Sequence, residues 1–476
     1  MIRFAALSPI SKLPHEVLLE IFKFYLTDSL HYRWDLWLTL AQVCQRWRHV
    51  VVTSPRYLDL QIITTKRKSA SALISGWPAL PIVIEHIWSR STKDVDHIIA
   101  ALEHNNRVAR ISLSDVPSYQ LELFVAAMKK PFLELTSLDI RVPIPYRRHH
   151  PQPPAFPDSF LSGSCPSLQS LCLDGIRFPG LPKLLSSSYG LVNVDLWNIP
   201  YSDNIPPEEM ATCLSPLKHL KSLKIRSGKL YYHSHAAGKH SPSLARVVLP
   251  GPALTLLKIH HTSKFLEGFV SRLNAPSLEE MGIMFPCYGE AVSNISELPQ
   301  FISRIESFGT FDKADVRNHY SEAIEFIFSK QASKIAGAEP SSTFTPLANS
   351  LNVVSIDNLS QSTQVVSTFL PPLSRIKCLT LHIGATSMQE ILHLFTAVTN
   401  MFISKIMATS VSLSMEGAFE GRATVMLPAL RNIYVAELQK QGKRTRRAIQ
   451  EFIAAKGLAG HHVNLHHWEP EVDGRS

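Results

Sequence analysis

The chain has 476 residues, of which 45% are hydrophobic, and a formal net charge of +9. This length exceeds the roughly 100–200 residues of one ordinary domain, so we expect more than one folding unit. The N-terminal apolar run is interrupted by Pro9 and Lys12 before it reaches the length of a secretory signal, and no window is apolar enough to span a bilayer. The composition therefore indicates a soluble intracellular protein, in the cytoplasm, the nucleus or both.

The cysteines and the basic residues give only general information. The six cysteines are scattered, without the spacing of a zinc cage or a dense disulfide framework, so we expect mostly buried thiols in a reducing compartment. The basic residues are spread along the chain apart from KQGKRTRR at residues 440–447. That run is typical either of a solvated helix start or of a segment that binds nucleic acid.

The first predicted element is a helix that begins near Pro14, because proline suits the first turn of a helix. Its sequence, LPHEVLLEIFKFYL from residue 13, spreads apolar side chains over roughly 220° of the helix, about twice the arc that one core needs. A second apolar helix, followed by a Ser-Pro pair, is predicted within LWLTLAQVCQRWRHVVVTSPRYL at residues 36–58. The first helix therefore either is sandwiched inside its own domain or keeps one face for another protein.

LPHEVLLEIF followed by LAQVCQRWRHVVVTSP resembles the F-box, a short three-helix module, over about residues 8–60. The resemblance implies docking onto the Skp-family adaptor of a cullin-based ubiquitin ligase. Many relatives have a Leu-Trp pair after the final proline, whereas this chain has Tyr57 and Leu58. We expect about half of the following positions to contact the adaptor and half to hold the module's own core: Leu13, Pro14, Val17, Leu18, Ile21, Phe22, Leu40, Val43, Cys44 and Trp47.

Residues 61–92 connect this module to the rest of the chain. They contain a short predicted helix and then a strand bounded by prolines, Ile82 to Ile87. We expect this strand to cap the exposed end of the next domain and to form a rigid junction.

An aliphatic signature then recurs along residues 93–470. It consists of a large aliphatic residue, two further residues, a second aliphatic, one residue and a third aliphatic. The first seven copies start 23 to 34 residues apart, which is close to the period of leucine-rich repeats. The copies are VARISL at 108, LTSLDI at 135, LQSLCL at 168, LVNVDL at 191, LKSLKI at 220, LTLLKI at 254, LEEMGI at 278, LNVVSI at 351, IKCLTL at 376 and LRNIYV at 430.

Each copy predicts a short strand, and helical patterns such as VDHIIAALE, LEGFVSRL and RRAIQEFIAA lie between the copies. Strand and helix alternating at this period predict an α/β leucine-rich-repeat-like solenoid, with parallel strands inside and helices outside. The alternative is a doubly wound α/β domain, but no Gly-rich loop follows the strands to bind a nucleotide.

The pattern weakens in two places. Between residues 285 and 350, IESFGTF at 305 and IEFIFS at 324 are interpreted as degenerate strands, and 336–344 as a flexible excursion. Between 381 and 430 a further unit is predicted around Val411 and Leu413. The Pro-rich segment 146–157 is predicted to be an exposed loop. Over most of its length the chain resembles the fungal F-box proteins with degenerate leucine-rich repeats.

No residue pattern indicates catalysis or a cofactor. The chain has no GxSxG, HExxH or phosphate-loop motif, and its histidine pairs lack Cys or carboxylate partners at metal-ligand spacing. Adjacent histidines on a strand also point to opposite faces. We expect Cys44 to be a packed thiol on an apolar helix face rather than a nucleophile.

We therefore expect no enzyme activity from this chain, and a role in recognition. By the resemblance, the chain holds a protein substrate near the transfer machinery of the ligase; the alternative is a repeat scaffold that binds a protein, or nucleic acid, without a ligase. The recognition surface is predicted to use residues flanking the inward aliphatics, and aromatic and arginine side chains favour Trp197 most. The predicted residues are Asp139, Arg141, Asp195, Trp197, Lys224, Arg226, Lys258, His260, Glu280 and Tyr434.

Overall fold

A computed structural model describes the helices, strands and connections of most of the chain. The described residues are 12–28, 36–55, 57–58, 60–64, 74–75, 80–87, 92–143, 154–199, 205–226, 254–285, 296–319, 323–330, 350–355, 373–382, 391–403, 426–436 and 442–468. The chain divides into two compact units, Met1–Ser170 and Leu171–Ser476. The domain boundaries predicted at residues 60 and 92 stay predictions.

The first unit begins with three helices, α1 (His15–Asp28), α2 (Leu36–Val43) and α3 (Gln45–Thr53). The Phe22 ring of α1 meets the Trp47 ring of α3 edge-on, with 4.8 Å between the ring centroids. The Arg48 Nε donates to the Ala41 carbonyl at 2.9 Å and so ties α3 to α2. Contacts between all three helices hold the bundle together.

A parallel sheet follows in the same unit. It consists of β1 (Ile62–Thr64), β2 (Ile82–Ile87), β3 (Val108–Ser114) and β4 (Ser137–Arg141), paired in chain order. Helices α4 (Thr92–Leu102) and α5 (Ser118–Ala127) and a tight turn (Phe160–Gly163), in which Leu161 and Ser162 have left-handed backbone angles, lie between or after these strands.

The junction between the bundle and the sheet differs in one respect from the prediction. The predicted strand Ile82–Ile87 forms as β2, but β1 pairs with it, so β1 and not β2 is the first strand of the sheet. The indole N–H of Trp37 in α2 donates to the carbonyl of Gln61, directly before β1, at 3.2 Å. Leu58 and Leu60 are buried, so the chain between α3 and β1 is also packed.

The second unit contains a larger, mostly parallel sheet with helices, as an α/β fold requires. Its described strands lie in the order β5, β6, β7, β8, β9, β12, β11, β10, β13, β14, β15, β16. Their bounds are β5 (Ser170–Asp174), β6 (Asn193–Trp197), β7 (Ser222–Arg226), β8 (Leu256–His260), β9 (Glu280–Phe285), β10 (Lys313–His319), β11 (Ala323–Ser329), β12 (Ser350–Ser355), β13 (Cys378–His382), β14 (Asn400–Ile403), β15 (Asn432–Ala436) and β16 (Asn464–Trp468).

A strand forms at each of the ten aliphatic signatures, and in nine of them the second and third aliphatics are buried. In the copy at 351, Leu351 and Val353 are buried, the burial of Val354 is not described, and Ile356 lies outside the described residues. Two predictions for the gaps were wrong or incomplete. IESFGTF forms a 3-10 helix (Glu306–Thr310) instead of a strand, and IEFIFS forms β11, which pairs antiparallel with both β10 and β12. β14 is a further strand between 382 and 430, whereas Val411 and Leu413 lie outside the described residues. The solenoid itself stays a prediction.

The antiparallel strands have a simple cause. Only residues 320–322 separate β10 from β11, and so short a connection can join antiparallel neighbours but not parallel ones. β12 then pairs parallel with β9, and β10 pairs parallel with β13, so the parallel order resumes on both sides.

The described helices of the second unit connect or follow these strands, and α6 to α9 pack in chain order. They are α6 (Leu181–Ser187), α7 (Pro207–Leu214), α8 (Ser263–Val270), α9 (Glu297–Ser303) and α10 (Lys443–Leu458), with a second 3-10 helix at Leu373–Arg375. Within the part of the chain that the structure describes, no helix is long and apolar enough to cross a membrane.

Candidate functional site

Helix α1 has two apolar faces, and only one of them is buried. Val17, Ile21, Phe24 and Tyr25 are 41%, 45%, 72% and 41% exposed, and their spacing places them on one face of the helix. We call these four residues the apolar stripe. The sequence prediction named Val17 and Ile21 but not Phe24 or Tyr25, although the i, i+4, i+7 spacing from Val17 already joins Phe24 to the same face.

The other apolar face of α1 forms the core of the bundle. Leu18 and Phe22 are buried, and Leu40 of α2 is buried as well. Trp47 is half-buried against Phe22. These side chains therefore belong to the half of the predicted set that holds the module's own core.

The remaining predicted positions lie near the ends of the helices. Leu13 is half-buried, and its carbonyl accepts a hydrogen bond from the Arg46 guanidinium. Pro14, Val43 and Cys44 are exposed. The expectation of a packed Cys44 thiol was wrong, because Cys44 is the N-cap of α3 and its Sγ accepts the backbone N–H of Trp47 at 3.4 Å.

Tyr57 forms a small polar cluster with α1. Its phenol O–H donates to the Glu20 carboxylate, and the Lys23 Nζ lies 4.7 Å from the centre of its ring. The hydrogen bond to Glu20 raises the pKa of Tyr57 above its ordinary value, with burial and the Glu20 charge acting in the same direction. Tyr57 is 44% exposed, so this cluster adds a further apolar ring to the exposed surface of the bundle.

Exposed apolar side chains are concentrated in this bundle. Among the described residues, twelve large apolar side chains are exposed, and seven of them lie between residues 17 and 57. Single exposed apolar side chains are ordinary on a protein surface, but a cluster of this kind marks an interaction site. The seven are Val17, Ile21, Phe24, Tyr25, Val43, Val52 and Tyr57.

The predicted recognition residues alternate with the buried aliphatics of the strands. In the first unit, Asp139 and Arg141 lie on one face of β4, and the Arg141 guanidinium binds both carboxylate oxygens of Asp139 at 2.9 Å. The positive charge of Arg141 and the negative charge of Asp139 therefore neutralise each other.

In the second unit, the register places predicted residues of neighbouring strands side by side. Asp195 of β6 lies opposite Lys224 of β7, and Lys224 lies opposite Lys258 of β8. Two residues further along the strands, Trp197 lies opposite Arg226, and Arg226 opposite His260. Glu280 of β9 pairs with Lys258 through an ion pair at 2.5 Å. The structure thus brings seven predicted residues together on β6 to β9.

His260, one of these seven, and Tyr434 have surroundings of their own. His260 is buried, which differs from its predicted place on an exposed surface, and its Nδ1 accepts a hydrogen bond from the Arg226 Nε at 3.2 Å. Tyr434 of β15 stacks between Phe402 and His466 on the adjacent strands, with centroid distances of 4.6 and 4.8 Å. Tyr434 therefore lies in an aromatic row on β14 to β16.

Nothing around the described histidines and cysteines forms a metal site. No group of three or more His, Cys, Asp or Glu residues that could hold a metal occurs among them. Burial raises the pKa of the Cys165 thiol to about 12 and also raises the pKa of Cys213 and Cys378. His233, His235, His240 and the pair at 149–150 lie outside the described residues.

The basic run at 440–447 overlaps the start of α10. Gly442 is the N-cap, and Lys443 begins the helix. The Arg447 Nε binds the Glu451 carboxylate at 2.7 Å one turn later, and the Thr445 side chain is buried. Part of this run is therefore a helix start with one charge paired inside the helix.

Comparison with known proteins identifies one region of the chain. The F-box-like family model matches residues 10–56, the range that contains α1, α2 and α3. The F-box predicted from the sequence is therefore confirmed, and the apolar stripe belongs to an F-box-like domain. No curated protein matches the chain.

Proposed function

We propose that this chain is a substrate-recognition subunit of a cullin-based ubiquitin ligase. Its F-box-like domain binds a Skp-family adaptor, which links it to the cullin, and its strand faces bind a protein substrate. The observation that supports this function is the apolar stripe of α1, which is exposed within a domain that matches the F-box-like family.

The energetics of the stripe favour a protein partner. Burying a large apolar side chain stabilises a complex by about 1.5–3 kcal/mol when the side chain is fully exposed beforehand. The four stripe residues are 41% to 72% exposed, so each contributes a part of that amount when it is covered. Since Leu18 and Phe22 already fill the core of the bundle, the stripe is not needed to hold the domain together.

In this function the chain needs no catalytic group of its own. Binding a substrate at one end of an assembly raises its effective concentration near the transfer site, which accelerates transfer without new chemistry on this polypeptide. The side chains on the strand faces, and not a catalytic centre, then determine which protein is modified.

The experiment is an adaptor pull-down with the double variant Ile21→Asp/Phe24→Asp. Both side chains are at least 45% exposed, so the charges are tolerated by the fold but oppose burial in an interface. We expect binding of the Skp-family adaptor to fall at least 100-fold, which corresponds to about 2.7 kcal/mol.

The matched control is Leu123→Asp on α5, where a 49% exposed leucine lies outside the F-box-like domain. We expect this variant to bind the adaptor like the unmodified chain. The proposal is wrong if the intact chain does not bind the adaptor at micromolar concentration, or if the two variants behave alike.

A further inference from the structure

Three cations of the second unit lie next to one another on the strand face. Lys224 and Lys258 are direct partners in the register of β7 and β8, and Arg226 follows Lys224 by two residues on the same face. We call Lys224, Arg226 and Lys258 the cationic trio. Adjacent strands are about 4.8 Å apart, so like charges in such positions repel and destabilise the sheet.

The acidic residues beside the trio compensate it only in part. Asp195 lies 3.8 Å from Lys224, and Glu280 lies 2.5 Å from Lys258, so within the described residues two carboxylates face three cations. In both pairs the lysine is the more exposed partner, with side-chain exposures of 36% against 24% and 40% against 12%. The lysine side chains are therefore the more accessible members of both pairs.

Glycine in the neighbouring strand allows the Lys258 side chain to take its position. Gly282 is the register partner of Lys258 in β9, and a Cβ built there would lie 3.1 Å from the Lys258 Cγ. The stem of Lys258 thus lies over Gly282, and its ammonium reaches Glu280.

Arg226 is oriented by a histidine and an aromatic ring. Its Nε donates to the His260 Nδ1 at 3.2 Å, and its guanidinium carbon lies 5.0 Å from the centre of the Trp197 ring. No ion pair joins Arg226 to a carboxylate of any described residue. The two terminal nitrogens of a guanidinium can bind a carboxylate in a bidentate manner, and here an aromatic ring and a histidine fix their orientation.

We propose that the cationic trio binds an acidic segment of the protein substrate. One carboxylate of the segment binds the terminal nitrogens of Arg226, others bind the ammonium groups of Lys224 and Lys258, and Trp197 contacts an apolar side chain beside them. The proposal rests on the function proposed above, because it names the chemistry of the substrate. The bound carboxylates would also relieve the repulsion within the trio.

An acidic peptide fits this site better than nucleic acid does. Asp195 and Glu280 flank the trio and limit the cationic area to two strands, about 10 Å. A nucleic acid backbone needs a longer track of cations, and its phosphates would meet both flanking carboxylates. Two or three carboxylates of a peptide fit between them.

The test measures the binding of three fluorescein-labelled 12-residue peptides to the full chain by fluorescence anisotropy. The peptides differ at half of their positions, which are Glu, Gln or Lys. We expect the Glu peptide to bind at least 10-fold more tightly than the Gln peptide, and this difference to shrink as salt is raised. An oligonucleotide of equal charge is the competitor.

The variant Lys224→Glu/Arg226→Glu should weaken binding of the Glu peptide at least 10-fold and improve binding of the Lys peptide. The matched control is Lys264→Glu, a charge reversal at an exposed position of α8. Since new carboxylates beside Asp195 could unfold the sheet, Lys224→Gln/Arg226→Gln is measured as well, and thermal unfolding is recorded for all variants. We expect the Gln variant to lose the same preference for the Glu peptide.

Several results would overturn the inference: equal binding of the Glu and Gln peptides, a folded Gln variant with unchanged affinity, or tighter binding of the oligonucleotide. The same samples are tested for adaptor binding. Adaptor binding without a preference for the Glu peptide refutes this inference alone. A Glu preference without adaptor binding refutes the proposed ligase function and leaves the cationic trio as a site for acidic protein segments.

Discussion

One buried histidine makes the stability of the second unit depend on pH. The His261 ring stacks on Phe265 at 3.9 Å, and its Nδ1 accepts the backbone N–H of Thr262 at 2.9 Å. Burial, assisted by the neighbouring His260, lowers the pKa of His261 to about 3. Because the unfolded chain binds a proton near pH 6.5 and the folded chain does not, stability is full above pH 6.5 and falls as the pH drops towards 3.

The variant His261→Asn tests this dependence, since asparagine keeps an acceptor near the Nδ1 position and does not titrate. We expect the unmodified chain to lose about 2 kcal/mol more than the variant in free energy of unfolding between pH 7 and pH 5, measured in urea. The exposed His462→Asn serves as control and should behave like the unmodified chain. An unchanged pH dependence in His261→Asn would contradict the assignment.

The sequence could not predict which of the apolar residues of α1 are buried and which are exposed. Both faces of α1 are apolar, so the pattern could not distinguish Ile21, which is exposed, from Phe22, which is buried against Trp47. The outcome depends on where α3 packs, which is a tertiary property. His260 was misplaced for a similar reason, because strand alternation gives the face of a residue but not what covers it.

Helix α8 joins its two neighbours through single residues. The Glu267 carboxylate accepts the backbone N–H groups of Ser296, Glu297 and Leu298, at 2.7 to 2.9 Å, and so satisfies the free donors at the start of α9. On the opposite side, Gly268 lies against Pro207 of α7, where a built Cβ would be 2.8 Å from the proline Cγ. The close approach of α7 and α8 therefore requires glycine.

A pair of Gly→Ala variants separates this contact from helix propensity. Alanine normally stabilises a helix by about 0.5–1 kcal/mol relative to glycine. We expect Gly457→Ala in α10, which has no atom within 4 Å of the added Cβ, to show this gain in thermal unfolding. Gly268→Ala should instead destabilise the protein by about 1–3 kcal/mol, because α7 and α8 must move apart. Equal effects at both sites would show that the helices are not in tight contact.

The strands were predictable as elements because each signature repeats a period of two residues that only a half-buried strand uses. The antiparallel direction of β11 was not predictable from this pattern, because apolar and polar residues alternate in the same way in parallel and antiparallel strands. The direction follows instead from the short connection 320–322 between β10 and β11. IESFGTF was wrongly predicted to be a strand. Its buried residues Ile305, Phe308 and Phe311 recur every three residues, and not every two as in a strand. That spacing fits one face of a 3-10 turn.

For the whole molecule, the division near residue 170 was not predictable from the signatures. LTSLDI at 135 lies in the first unit and LQSLCL at 168 reaches the boundary, yet their patterns are alike. The strand pattern reports local burial and contains no information about how residues group into compact units. The apolar stripe lies in the first unit, and the cationic trio lies in the second.

Hydrogen exchange of the full chain with and without the Skp-family adaptor tests this separation of roles. With adaptor at about 100 times its dissociation constant, ligand linkage stabilises the bound domain by about 2.7 kcal/mol. Amides of α1 to α3 should therefore exchange up to about 100-fold more slowly. Amides of β13 to β15 should exchange at unchanged rates. Protection of those strands without protection of α1 would place the adaptor elsewhere.

The hydrogen bond from Trp37 to Gln61 has a consequence for how this protein can be recombined. The family match ends at residue 56, but Leu58, Leu60 and Ile62 are buried beyond it. A chimera cut at residue 56 would separate the bundle from these buried side chains and from the Gln61 carbonyl that the indole uses. A different recognition region can therefore replace the native one, in the laboratory or in evolution, only if the chain through Thr64 is kept. The strand β2, which pairs with β1, must be kept as well.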